Sequence, residues 1–182
     1  MKKTSKVNLS HGRTHLAIPG PSNIPQRVLQ AMSRPSPNIY GEEIELLTEK
    51  VMDGIADFAN TSGKVIIYVS NGHGAWEASL VNLFRPGDKV LLCSTGHFGH
   101  KWGIIAKRLK LDLVHLDVGS NSIIDPNQIE EILKRDKDKK IKGVLSVYTD
   151  TSSSSKNQIH EFKKAINGAN HPAILVIDSI AS

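Results

Sequence analysis

A chain of 182 residues with 39% apolar and 23% charged side chains is long enough to bury a substantial core and falls with soluble globular proteins, not with low-complexity or membrane-spanning chains. Its net charge of +5 lies largely in short runs such as Lys134–Lys140, where Asp136 and Asp138 interrupt the lysines; this is a solvated helix end and not a nucleic-acid groove. The single cysteine excludes a disulfide within the chain, points to a reducing, cytoplasmic setting, and reads as a small core residue because it ends the apolar run Lys89–Cys93.

Met1–Ser10 carries positive charge with no apolar segment behind it, so it is not a secretory signal, and no apolar run approaches the length of a membrane span. Residues 1–40 hold Pro19, Pro21, Pro25, Pro35 and Pro37 and no sustained period, which predicts an irregular arm. One short helix fits inside it, with Pro25 in the first helical position and Val28, Leu29 and Met32 on one face until Pro35 stops it. From Glu42 the spacing of Ile44, Leu47, Val51, Ile55 and Phe58 predicts a helix of several turns.

Val65–Val69 is a run of β-branched and aromatic side chains that reads as a buried strand. It leads into Ser70-Asn71-Gly72-His73-Gly74 and then a helix over Ala75–Phe84, with Trp76, Leu80, Leu83 and Phe84 near one face. A helix that opens on such a turn presents unpaired N–H groups and the positive end of its dipole, which suits a phosphate. The pattern is neither a Walker A loop nor Gly-x-Gly-x-x-Gly, so an ordinary strand-to-helix connection stands beside the phosphate reading.

Beyond it the chain alternates. Strands are predicted over Val90–Cys93, Leu111–Leu116, Gly143–Tyr148 and Ala173–Ile177, with helices over Gly99–Leu109, from Asp125-Pro126 onward, and over Ser155–Ile166. Asp125 followed by Pro126 and Gln128, and Ser155 followed three residues later by Gln158, resemble capping boxes. The fold class is therefore α/β: a three-layer, mostly parallel sheet with helices on both faces, preceded by an irregular amino-terminal arm. Ligands collect at the carboxyl ends of parallel strands. That rule predicts one rim for Asn71–His73, for Thr95–His100 with Phe98, for Thr149–Ser152, and for Asp178-Ser179, a set suited to a flat, charged, phosphorylated ligand. Asp178 ends an apolar strand and so needs a partner. His97 and His100 have a spacing sometimes used for metals, but no cysteine or acidic partner accompanies them in the sequence, and no metal site is read there.

With those residues in hand, the chain resembles the class V, fold-type I pyridoxal-phosphate aminotransferases, in particular the alanine–glyoxylate and serine–glyoxylate group. The resemblance is carried by Pro19-Gly20-Pro21-Ser22-Asn23-Ile24-Pro25, by Ser70-Asn71-Gly72-His73 with Glu77-Ala78 and Leu80-Val81-Asn82, by Pro86-Gly87-Asp88, and by Val176-Ile177-Asp178-Ser179-Ile180-Ala181-Ser182. It implies pyridoxal 5'-phosphate as cofactor, with Asn71, Gly72 and His73 on its phosphate, Phe98 stacked on its ring, Thr151 beside it, and Asp178 paired to the pyridinium nitrogen. It places Gly20 and Asn23 near the substrate, and implies transamination between a small amino acid, serine or alanine, and glyoxylate or another 2-oxo acid, in a homodimer.

Two departures matter. Where the family commonly reads His-x-Glu-Ser/Thr-Ser/Thr-Thr-Gly, this chain has Tyr148-Thr149-Asp150-Thr151-Ser152-Ser153-Ser154, which leaves substrate preference open. The lysine that the family links to its cofactor as a Schiff base belongs well downstream of the aspartate that Asp178 resembles. The resemblance thus divides the chain into an arm over 1–40 and, over 41–182, an incomplete fold-type I large domain cut before that lysine. It is expected to be the amino-terminal part of an aminotransferase, inactive and marginally stable alone. A fold-type I lyase or desulfurase, and a non-catalytic binding protein that keeps the phosphate turn, are the alternatives.

Overall fold

The computed structural model describes residues 15–182, which form two compact units, one ending at Ile66 and one over Ile67–Ser182. The reading of Met1–Ser10 as no secretory signal lies outside the described residues. Among those described, no helix is long and apolar enough to cross a membrane.

The first unit carries α1 (Gln26–Met32) and α2 (Glu42–Phe58). Pro25 stands one place earlier than predicted, as the N-cap of α1, where its carbonyl accepts from the N–H groups of Val28 and Leu29. In α2, Glu42, Glu43 and Glu45 occupy the first turn, the favourable end of the dipole for negative charge. Neither helix has a buried residue, and Phe58 is 93% exposed. Without a covered apolar face, a helix of this length has little beyond its own propensity to hold it. In hydrogen–deuterium exchange the amides of α2 are expected to exchange at least ~100-fold faster than those of the buried strand Lys89–Ser94. Equal protection of the two segments would show that the apolar face of α2 is covered.

The second unit is built on a parallel sheet of β1 (Lys89–Ser94), β2 (Asp112–Asp117), β3 (Ile141–Val147) and β6 (Ile174–Asp178), in the order β2-β1-β3-β6. A small antiparallel hairpin of β4 (Thr149–Asp150) and β5 (Ser155–Lys156) follows β3. Helices α3 (Gly72–Leu83), α4 (His97–Arg108), α5 (Pro126–Arg135) and α6 (Ile159–Gly168) complete it. Strand alternation splits the core into two layers, as successive side chains point to opposite faces. Val90 and Leu92 of β1, with Leu145 and Val147 of β3, pack against Trp76 and Leu80 of α3 and Trp102 and Ala106 of α4. Leu91, Cys93 and Val144 face the other way, against Ile129 and Leu133 of α5 and Phe162 and Ile166 of α6. Leu91 and Leu92 are fully buried, which contributes about 1.5–3 kcal/mol each. Cys93 is also fully buried, and burial pushes its thiol far above the usual range, as a core residue requires.

The three-layer α/β expectation holds, with corrections in detail. Val65–Val69 forms no strand; Ile66, Ile67, Tyr68 and Val69 are 69%, 53%, 51% and 105% exposed. A strand exists only where a neighbour completes its ladder of hydrogen bonds, and the sheet ends at β2 on one side and β6 on the other without pairing to this run. The α6 helix starts at Ile159, not at Ser155, which lies instead in β5. The cause is Asn157, 2% exposed, whose Nδ2 donates to the Val147 carbonyl at 2.9 Å and whose Oδ1 accepts from Ile124 N–H at 3.1 Å. These long-range bonds override the local Ser-x-x-Gln pattern. At α5 the expected cap forms, with Asp125 Oδ1 accepting from Asn127 N–H at 2.9 Å and Pro126 opening the helix.

From β1 the chain passes through α4 to β2 on one side, then crosses back through α5 to β3 on the other. The order therefore reverses between β1 and β3, and in open parallel sheets the crevice at such a point is where ligands bind.

Candidate functional site

The loops leaving β1 and β3 meet at that crevice through one carboxylate. Asp150 is fully buried; its Oδ2 accepts from the N–H groups of Phe98 and Gly99, both at 3.0 Å, and its Oδ1 accepts from Ser152 N–H at 3.1 Å and Ser152 Oγ–H at 2.6 Å. Ser152 Oγ in turn accepts from His97 N–H at 2.8 Å. The first three N–H groups of α4 are thus satisfied from more than fifty residues away, because its N-cap, Gly96, has no side chain to do it. Gly96 must be glycine: a Cβ there would lie 2.7 Å from the Asp150 carboxylate and from Ser152 Oγ. Since α4 begins at His97, Phe98 sits in its first turn, half-buried, with its ring at the margin of the α3/α4 core and 6.4 Å, edge-on, from that of Trp76.

The turn before α3 is also capped. Asn71 is the N-cap, and its Oδ1 accepts from the N–H groups of His73 at 3.1 Å and Gly74 at 3.3 Å. The helix starts at Gly72, three residues before the predicted Ala75, so both glycines lie in its first turn. Gly74 packs so closely that a Cβ would stand 2.7 Å from the Ser70 side chain, while a Cβ on Gly72 would meet nothing within 4 Å.

Asp178, the last residue of β6, is half-buried. Its Oδ2 accepts from the indole Nε1–H of Trp76 at 3.0 Å, and its Oδ1 from Ile180 N–H at 2.9 Å. Trp76 lies four residues into α3, about 6 Å along the helix axis from Gly72. That indole bond therefore fixes the glycine turn and the Asp178 carboxylate on the same side of the sheet, and His73 packs edge-on to Trp76 with ring centroids 4.6 Å apart. Thr151 is half-buried in the turn after Asp150. Asn71, Gly72, His73, Phe98, Thr151 and Asp178 all lie in the second unit. Gly20 and Asn23 belong to the first unit, where both are exposed and the Asn23 amide donates to His15 Nδ1 at 2.8 Å.

Trp76 is a position at this rim that the sequence did not single out, and Asp150 and Ser152 were placed there only as part of Thr149–Ser152, without a role. A signal existed for Trp76: a buried indole N–H needs an acceptor and a carboxylate ending an apolar strand needs a donor.

The donor set of the rim fits a phosphorylated aromatic cation. It offers backbone N–H groups at a helix end, an aromatic ring, and a carboxylate. Each oxygen of Asp178 takes one N–H from the chain, and a carboxylate offers about four lone-pair sites, so acceptor capacity remains. For His73 and Gly74 N–H to face an anion, the Asn71 side chain has to turn aside.

A second polar cluster stands at the carboxyl end of β2. His100 of α4 bridges two acceptors, its Nδ1 2.7 Å from the Gly96 carbonyl and its Nε2 2.9 Å from Asp117 Oδ2. No acidic partner of His100 is visible from its sequence neighbours; the fold supplies one seventeen residues on. The Gly96 carbonyl first, and Asp117 after it, raise the His100 pKa. Desolvation lowers that of His115, and the Gly119 N–H holds that of Asp117 down.

Comparison with known proteins identifies the family and the fold. The family model described as aminotransferase class-V matches residues 14–182. The chain is 37% identical over 172 residues to a serine–glyoxylate aminotransferase of Methylorubrum extorquens, covering 94% of this chain and 43% of that protein. It is 31% identical over 166 residues to an L-aspartate–glyoxylate aminotransferase of Paracoccus denitrificans, covering 91% and 42%. Among solved structures, pyridoxamine–pyruvate aminotransferase from Mesorhizobium loti superposes with a TM-score of 0.83 at 29% identity, over 91% of this chain and 41% of that one. The chain spans about two fifths of the length of the curated relatives it matches.

Proposed function

This chain belongs to the class-V aminotransferase family, and on that premise we propose that its second unit holds pyridoxal 5'-phosphate for transamination between a small amino acid, serine or alanine, and glyoxylate or another 2-oxo acid. The named activities of its relatives, on serine, aspartate and glyoxylate, support that substrate class. The observation that carries the proposal is the 3.0 Å bond from Trp76 to Asp178, which joins the phosphate-type turn to the carboxylate. When bound, the cofactor supplies an electron sink for the carbon that gains or loses the amino group.

The roles of the chain's own residues follow from their chemistry. Asn71, Gly72 and His73 bind the phosphate through the amino end of α3. Phe98 covers one face of the ring and excludes water from it, and Thr151 offers a hydroxyl beside it. Asp178 keeps a proton on the ring nitrogen by charge-assisted hydrogen bonding. By family resemblance Gly20 and Asn23, in the arm of residues 1–40, are the substrate-proximal residues, and residues 41–182 act as the cofactor-binding domain. A cytoplasmic enzyme that works as a homodimer completes the proposal; the exposed apolar face of α2, with Leu47, Val51 and Phe58, supports an interface.

Pyridoxamine 5'-phosphate tests this directly, because it carries the phosphate and ring without an aldehyde that would label surface lysines. Titrated into the chain, it is expected to quench the fluorescence of Trp76 saturably. Asp178→Asn keeps an acceptor for the indole but removes the charge, and is expected to weaken binding by about 10-fold or more. Absence of saturable quenching, or equal affinity in Asp178→Asn, would refute the assignment.

A further inference from the structure

We propose that His100, His115 and Asp117 form a binding site for one zinc ion, at the carboxyl end of β2 and apart from the residues assigned to the cofactor. His115 and Asp117 are two apart on one strand and so project to the same face, the face covered by α4, which contributes His100. Each side chain offers one ligand atom, and the three atoms lie within 4.8 Å of one another. A tetrahedral zinc with arms of about 2.0–2.2 Å holds neighbouring ligands roughly 3.3–3.5 Å apart. His100 Nε2 and Asp117 Oδ2 are at 2.9 Å, so enclosing an ion takes shifts on the order of 1 Å in exposed side chains.

Two imidazoles and one carboxylate are a donor set that zinc accepts, with a fourth position left for water. What separates this cluster from an ordinary surface ion pair is that two of the ligands are already anchored on their far sides. His100 has its Nδ1 on the Gly96 carbonyl at 2.7 Å, the second contact that metal-bound histidines characteristically make, and this leaves Nε2 as the ligand atom. Asp117 Oδ1 accepts from Gly119 N–H at 3.0 Å and from Ser94 Oγ–H at 3.2 Å, which leaves Oδ2 turned toward His100. Ser94, 1% exposed at the end of β1 and paired in register with Asp117, also lies 2.6 Å from His115 Nε2 and fixes that ring.

Binding replaces the Nε2 proton of His100 by the ion, and the proton leaves to solvent. Coordination requires His115 as the neutral imidazole. The ion would tie β2 to the first turn of α4, the turn that carries Phe98.

The test is a zinc titration of the full chain in competition with a chromophoric chelator. The wild-type chain is expected to take up one equivalent that His115→Ala and Asp117→Asn each weaken about 10-fold or more, and that His97→Ala leaves unchanged. Asp117→Asn retains an oxygen for Gly119 N–H, so its circular dichroism spectrum should match wild type and separate lost ligation from lost fold. Cobalt gives a second readout, since a tetrahedral nitrogen–oxygen site develops visible absorption bands that the same variants should lose. No uptake by the wild-type chain, or uptake unchanged in a His100→Ala/His115→Ala double variant, would overturn the proposal.

Discussion

Asp150→Ala is expected to destabilise the second unit by about 3–4 kcal/mol and to loosen the first turn of α4. Asp150 is fully buried and receives four hydrogen bonds, two of them from Phe98 and Gly99 N–H groups that have no other partner inside a helix beginning at His97. Hydrogen bonds to a charged group are worth about 1.5–3 kcal/mol each, and orphaned buried donors carry their own desolvation cost. Water entering the space left by the carboxylate recovers part of this, which sets the figure below the simple sum. A carboxylate at this position also faces the positive end of the α4 dipole, so the charge itself contributes. Asp150→Asn should be nearly as harmful. One of its two oxygens becomes an NH2 group, and both oxygens currently accept from donors. The measurement is the urea midpoint at constant slope, followed by far-ultraviolet circular dichroism. A loss below about 1 kcal/mol in both variants would mean that the Phe98 and Gly99 N–H groups find other acceptors at little cost. Because Phe98 is positioned through its own N–H, both variants should also weaken pyridoxamine 5'-phosphate.

The contrast between what was legible in the sequence and what was not follows the range of the interactions. Val90–Cys93, Gly143–Tyr148 and Ala173–Ile177 are apolar runs bounded by turns, and each became a parallel strand within one or two residues of its predicted limits. Val65–Val69 is as apolar as these, yet the run forms no strand, because apolarity marks a candidate for pairing and does not supply the neighbour. Ser155 with Gln158 fails for the converse reason. The local signal is sound, but Asn157 between them is bonded to Val147 and Ile124, and that tertiary anchoring delays the helix.

Of the segments that the carboxyl-end rule gathers, Thr95–His100, Thr149–Ser152 and Asp178 do stand at the ends of parallel strands, whereas Asn71–His73 follows no strand and is tied to Asp178 only through Trp76. The pairs that set the geometry of the site were not legible. Trp76 and Asp178 are 102 residues apart, Phe98 and Asp150 are 52 apart, and no spacing rule connects them. His100 illustrates the same limit from the metal side. Its neighbour in the sequence spacing, His97, spends its backbone N–H on Ser152, whereas its neighbours in space are Asp117 and His115.

Trp102→Ala is expected to cost about 4 kcal/mol, and Trp102→Phe at most about 1 kcal/mol, a difference that reports the ring volume phenylalanine keeps. Trp102 is 1% exposed, lies in the α3/α4 core with Leu80, Leu92 and Leu145, and stacks on Trp76 with ring centroids 5.6 Å apart and planes inclined by 14°. Truncation to alanine empties the centre of that layer, which for a large aromatic side chain typically costs 3–5 kcal/mol. Phenylalanine restores most of the contact and part of the stacking. It also deletes the Trp102 Nε1–H, which is buried with no hydrogen-bond partner among the described residues. A buried donor left unsatisfied costs about 1–3 kcal/mol, so its removal offsets the volume lost on going from indole to phenyl. The two substitutions should therefore fall far apart in urea midpoint at constant slope. They should differ at the site as well, since Trp76, the partner of Asp178, loses its stacking surface in the alanine variant and keeps a phenyl ring in the other. If phenylalanine proves as costly as alanine, the indole N–H is contributing to stability through a contact of its own, and the core around Trp102 is more polar than its lining residues imply.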